Sequence, residues 1–209
     1  MASKFDELVD AIKDSTLRAM ARNGASTSDL LFRVSRKNDE DIDAIRQLDQ
    51  SLMARNRSDN PTTTPEHGDG GTYGDLGSRA RRNDGQNGLE YDHIPSKAAL
   101  VRALERHLGR QLDDWERRAV ERDATAVAIT DTQHRAGATW GSKNRPLVDG
   151  DAGGANPTDQ QISDALNAAQ DRDLAAHART LAAEGMPPAE IEEILQTVRD
   201  LNEGRGWQR

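Results

Sequence analysis

An aspartate followed directly by a histidine, in the tract Tyr91-Asp92-His93-Ile94-Pro95, is hard to explain as packing. The tract reads as the end of a short strand beginning at Leu89 and running into a proline turn. Neighbouring strand residues point to opposite faces, but a turn can bring both to one rim. A second histidine, His134, lies four residues beyond the apolar run Ala126-Val127-Ala128-Ile129-Thr130, with Arg135 beside it. Further on, Gly141-Ser142-Lys143-Asn144-Arg145 is a small, basic, amide-bearing loop suited to phosphate. Together these make a workable hydrolase set. The carboxylate and one imidazole hold a divalent metal while the other imidazole takes a proton from water. Each residue also has a plainer reading. His93 can be a structural histidine at a strand end, Asp92 an acceptor of backbone N–H groups before a turn, and His134 part of an ordinary helix start. His107 and His177 sit on helices and read as packed or surface residues, His67 as a solvated loop residue. Trp140 reads as core, or as a stacking surface for a base.

The elements that must position these residues are mostly helical. Phe5, Leu8, Val9, Ile12, Leu17 and Met20 predict one amphipathic helix over 4–22, and Ser28 to Val34 one further turn. Asn38 or Asp39 caps a second helix lined by Ile42, Ile45, Leu48, Leu52 and Met53. Residues 57–87 are rich in Gly, Asn, Asp, Thr and Pro and read as a flexible linker, with Arg79, Arg81 and Arg82 as a basic cluster near its end. Ser96 caps a helix that stops at Gly109, Asp113 or Asp114 starts another, and Ala126–Thr130 is the clearest strand. After a second linker, 149–157, Thr158 or Asp159 caps a long helix that stops at Gly185. Pro187 and Pro188 then open a last one. The fold class is mainly α with a small β component. A helical region at 1–56 and an acidic helical hairpin at 158–209 flank a central domain at 88–148. That hairpin is expected to be a protein-contact element apart from the site; the alternative is that it completes the central core.

The chain has 209 residues, of which 34% are hydrophobic, 3% aromatic and 31% charged, and its mean hydropathy is −0.86. So little apolar surface argues against one large core spanning the whole chain. Cysteine is absent, which excludes disulfides, thiolate zinc sites and cysteine nucleophiles. No apolar run reaches the roughly 18–20 residues of a membrane span. The first 17 residues are charged every few positions and lack the apolar centre of a signal peptide. Net charge is −8, unlike a basic nucleic-acid coat. The charge is uneven. Residues 151–209 hold 5 basic and 11 acidic side chains, residues 79–145 hold 13 and 10.

The tract Asp92-His93-Ile94-Pro95-Ser96-Lys97, an intervening helical stretch, and Ala126–Asn144 resemble the nuclease toxin modules of bacterial polymorphic toxin and type VI secretion systems. Those modules are similar to HNH, or ββα-metal, endonucleases. The resemblance covers about residues 88–146. It implies that His93 is the general base, that Asp92 and His134 are metal ligands, and that Asn144 is a further metal-site or substrate-orienting residue. The implied ion is Mg²⁺, Mn²⁺ or Zn²⁺. Lys97, Arg102, Arg135, Lys143 and Arg145 would contact nucleic-acid phosphates, with DNA favoured over RNA. The resemblance also implies synthesis in a bacterial cytoplasm and delivery, without a cleaved signal, into a target cell. A cognate immunity protein and a secretion or chaperone partner go with that role. Two other functions fit the residues. One is a metal-independent RNase in which His93 is base and His134 acid. The other is a non-enzymatic secretion or phage interaction protein, which would have no need of His93.

Overall fold

The structure, a computed structural model, describes residues 3–36, 38–58, 63–82, 88–137, 139–140, 148–149 and 156–208. It is mainly α with a small β component. The predicted helix over 4–22 is two helices, α1 (Lys4–Asp10) and α2 (Ser15–Arg22). Asp14 causes the break. Its carboxylate accepts the N–H groups of Thr16 and Leu17 and so caps α2. The N–H groups of Lys13 and Asp14 leave the helical ladder for the Asp41 carboxylate, at 2.6 and 3.2 Å. A short α3 (Thr27–Leu31) and a long α4 (Asp39–Ser58) complete this end.

Residues 70–82, inside the stretch expected to be linker, form β1 (Gly70–Thr72) and α5 (Tyr73–Arg82). Nothing apolar in Gly70-Gly71-Thr72 signals a strand. It pairs because β3 (Thr125–Thr130) offers an open edge, with Gly70 opposite Val127 and Thr72 opposite Thr125. Arg79, read as part of a basic cluster near the end of a flexible linker, is buried. It donates to the Thr63 carbonyl at 2.9 Å and to Asp69 at 3.0 Å.

The apolar strand β3 is central. β2 (Leu89–His93) pairs with its other edge, antiparallel, giving the order β1–β3–β2. Between β2 and β3 the chain makes an excursion through α6 (Lys97–Leu108) and α7 (Asp114–Asp123). Ser96 caps α6 and Gly109, at φ +72°, ends it. The short α8 (Asp131–Ala136) begins directly after β3, where Thr130 and Gln133 form a capping box.

α9 (Asp159–Ala183) and α10 (Pro188–Asn202) make the C-terminal hairpin. Leu174, Leu181, Ile191, Leu195 and Val198 bury Ile94, Val127 and Ile129, so the sheet covers the hairpin's apolar side. A second cluster joins Val9, Leu30 and Ile45 to Leu104 of α6, Val120 of α7 and Leu166 of α9. Both ends of the chain thus pack on its middle, each through shared buried residues. Among the described residues no helix is long and apolar enough to cross a membrane.

Candidate active site

Strand register decides where the Asp-His pair points. Asp92 lies opposite Val127 and His93 opposite Ala126. Residues directly opposite share a face of the sheet, and successive ones alternate. Asp92 therefore shares the face that α9 covers, and His93 takes the other, toward α5. Both line one cleft of about 660 Å³ along the outer edge of β2, and His134 lines it too.

Asp92 is 2% exposed. Its Oδ2 accepts from Thr139 Oγ1 at 2.6 Å and lies 2.8 Å from His177 Nε2. Its Oδ1 lies 3.5 Å from His134 Nε2. The capped start of α8 holds His134 there, and its ring stands perpendicular to that of Trp140 with ring centres 5.0 Å apart. His134 Nδ1 is buried with no hydrogen-bond partner among the described residues. Trp140 is not core: it is 42% exposed, lines the cleft, and has the Arg135 guanidinium 5.5 Å from its ring centre.

His93 stacks on Tyr73, with ring centres 4.5 Å apart and planes 20° apart. Its Nε2 faces the Glu121 carbonyl oxygen at 3.2 Å. A carbonyl only accepts, so Nε2 carries the proton and Nδ1 keeps a lone pair. Burial pushes the ring's pKa below its ordinary 6.5, against the opposing pull of the Glu121 carbonyl and Asp92. His93 is thereby held in its neutral form.

Lys97 and Arg102 line the cleft, as does Arg117, which the sequence did not single out. Each already has an acidic partner: Lys97 has Glu121 at 2.9 Å, Arg102 has Asp149 at 2.5 Å and Arg117 has Glu105 at 2.6 Å. Arg135 pairs with Asp131 at 2.8 Å and sits beside the cleft, against Trp140. Asn144, Lys143 and Arg145 lie outside the described residues.

Over 136 residues, 64% of this chain, the sequence is 37% identical to a protein named Deoxyribonuclease CdiA from Dickeya dadantii (strain 3937). The chain spans about 4% of the length of that protein. No family model and no solved structure matches the chain.

The donors present suit a divalent ion in part. Two ligands of one ion at about 2.1 Å lie about 3–3.4 Å from each other. Asp92 Oδ1 and His134 Nε2, at 3.5 Å, are close to that spacing. Among the described residues no group of three His, Asp or Glu could hold such an ion.

Sequence reasoning missed His177, Thr139 and Tyr73. His177 had a usable signal. With Asp173 it forms an i,i+4 polar pair among the Ala and Leu residues of a helix face, and a buried polar pair needs partners. Thr139 and Tyr73 gave none, because contacts between distant segments place them. The expectation that the hairpin stands apart from the site is corrected by His177, which reaches Asp92 from α9.

Proposed function

We propose that the chain is the nuclease part of an antibacterial toxin and hydrolyses phosphodiester bonds of DNA. The observation that carries this reading is the convergence of Asp92, His93 and His134 on one cleft that also holds Lys97, Arg102 and Arg117. The similarity to a protein named as a deoxyribonuclease supports DNA over RNA.

In this mechanism the His93 ring, fixed by Tyr73 and by its Nε2–H to the Glu121 carbonyl, takes a proton from water at Nδ1. The water oxygen then attacks phosphorus, the P–O bond opposite it breaks, and the ester oxygen leaves as an alkoxide that takes a proton from solvent. Asp92 Oδ1 and His134 Nε2 would hold a divalent ion, which when bound supplies charge to stabilise the phosphorane-like transition state. Lys97, Arg102 and Arg117 take the substrate's flanking phosphates by exchanging their carboxylate partners for them. Trp140, with Arg135 at its face, offers a surface on which a base stacks. The same reading makes the chain a cargo for delivery into a rival cell, by a type VI or related route, with a cognate immunity protein in the producer.

The test is incubation of plasmid DNA and of structured RNA with the wild-type protein and His93→Ala, with Mg²⁺, Mn²⁺ or Zn²⁺ and with chelator. DNA cleavage that chelator abolishes and His93→Ala loses is expected. Cleavage of RNA alone, resistant to chelator, would replace this reading with the metal-independent RNase. Cleavage of neither, with full biological effect kept by His93→Ala, would leave an interaction protein.

A further inference from the structure

Beside the apolar packing on Ile94, the C-terminal hairpin makes three buried polar contacts with the Asp92–Ser96 tract. His177 Nε2 meets Asp92 Oδ2 at 2.8 Å. The Ser96 backbone N–H donates to Asp173 Oδ2 at 3.2 Å. Asn202 Nδ2 donates to the Ile94 carbonyl at 2.8 Å and to Gln170 Oε1 at 2.7 Å. Asp173 and His177 are one turn apart on α9, and Asn202 ends α10. Apolar packing of Leu174, Leu181 and Ile191 would dock the hairpin without them. Burying three polar side chains is unfavourable unless each finds a partner. These find theirs on the tract that bears Asp92 and His93.

We infer that His177 is a positioning residue of the active site: it fixes Asp92 through Oδ2 and so turns Oδ1 into the cleft toward His134. Oδ2 is held from two sides, by His177 and by Thr139 Oγ1 at 2.6 Å. Rotation of the carboxylate would break both contacts. Oδ1 has the longer approach, 3.5 Å to His134, and remains the oxygen available to a ligand. His177 is 3% exposed and lies behind Asp92, off the cleft wall, so it acts through the carboxylate and does not touch substrate. Groups that orient a reactive carboxylate or ligand in this way typically change activity by about 10–100-fold when removed. The acidic hairpin is then a working part of the catalytic fold.

This inference rests on the nuclease reading, and the experiment separates the two. Cleavage of a DNA oligonucleotide is measured as kcat and KM for wild type, Asp92→Ala, His177→Ala and His177→Gln, with circular dichroism and melting temperature for each. The Gln amide nitrogen reaches about where Nε2 lies and keeps the donor. His177→Ala should lose about 10–100-fold in kcat with KM changed less than about twofold. His177→Gln should recover most of it. If His177→Ala does not fold, His177→Asn replaces it, since its shorter amide keeps polarity but cannot reach Asp92. Wild-type kcat in the Ala or Asn variant overturns the inference, and so does a loss confined to KM or a Gln variant as damaged as Ala. In each case Asp92→Ala remains inactive and the nuclease reading stands. A wild-type protein that cuts no DNA overturns both, and Asp92→Ala that cuts it normally overturns the inference and removes Asp92 from the site.

Discussion

Two buried carboxylate centres in this chain are built in opposite ways. Where the N-terminal helices meet α7, Asp49 and Asp123 share the guanidinium of Arg122, which lies 2.8 Å from Asp49 and 2.6 Å from Asp123. Thr27 Oγ1 and Trp115 Nε1 complete the shell of Asp49, at 2.5 and 3.3 Å, and the Ser28 N–H adds to Asp123 at 3.0 Å. At the cleft, Asp92 has two imidazoles and a hydroxyl, and among the described residues no Lys or Arg pairs with it. The first centre is closed: a permanent cation bridges its two carboxylates and further donors surround the oxygens. The second is open: its donors are imidazole and hydroxyl groups, and Oδ1 keeps its capacity to bind. Burial of charge serves cohesion at the first centre, and on the proposed nuclease reading it serves chemistry at the second.

The sharpest way to break the comparison is to remove one residue from the cleft and one from the closed centre. His93→Ala should lower turnover of the folded protein by roughly two to four orders of magnitude, the usual worth of a general base, a loss far beyond what the removal of its buried, stacked ring does to the melting temperature. Asp49→Asn should do the reverse. It should cost about 3 kcal/mol of unfolding free energy, the low end for a broken buried pair, with kcat of the folded protein unchanged. If Asp49→Asn abolished cleavage in folded protein, the division between cohesion and chemistry would collapse.

Acid titration sharpens the same point. Burial raises the pKa of Asp49, but the bonds from Arg122, Thr27 and Trp115 outweigh it and hold the carboxyl below its ordinary 3.8. Its contribution to stability is therefore full above the unfolded value and is lost as pH falls through the lower folded value. Chemical denaturation from pH 5 downward should show wild type losing stability below about pH 4. Asp49→Asn, which lacks that titration, should lose less over the same range.

The smallest effect expected is at the cleft rim. Trp140→Ala should weaken binding of single-stranded oligonucleotide by about 1–3 kcal/mol, the worth of one stacked base. Fluorescence anisotropy at fixed salt reads it. Unchanged affinity would remove Trp140 from the substrate path.

Much of the local structure was legible. The Ser96 cap of α6 and the Asp113 cap of α7 follow from side chains that bond their own backbone, and the Gly109 stop and Gly185 turn from the ease with which glycine takes a positive φ. The pairing of Asp92 with His134 was legible only as two halves: the order of the motif names the residues, while the antiparallel return of β3 beside β2 brings them together. The break between α1 and α2 needs Asp41, which is distant in sequence. β1 needs the free edge of β3, since Gly70-Gly71-Thr72 has no preference of its own.

The sequence by itself determined the helical caps and stops, the apolar faces, the central strand and the residue types able to act on a phosphodiester. These depend on interactions within a few residues, which short-range spacing encodes. Tertiary structure alone decided that Asp92 and His93 take opposite faces of an edge strand yet line one cleft, that Tyr73 stacks on His93, and that His177 reaches Asp92 across 85 positions of chain. Such contacts depend on which faces are left to bury once the local elements exist. That is a property of the whole packing, which no short window of sequence contains.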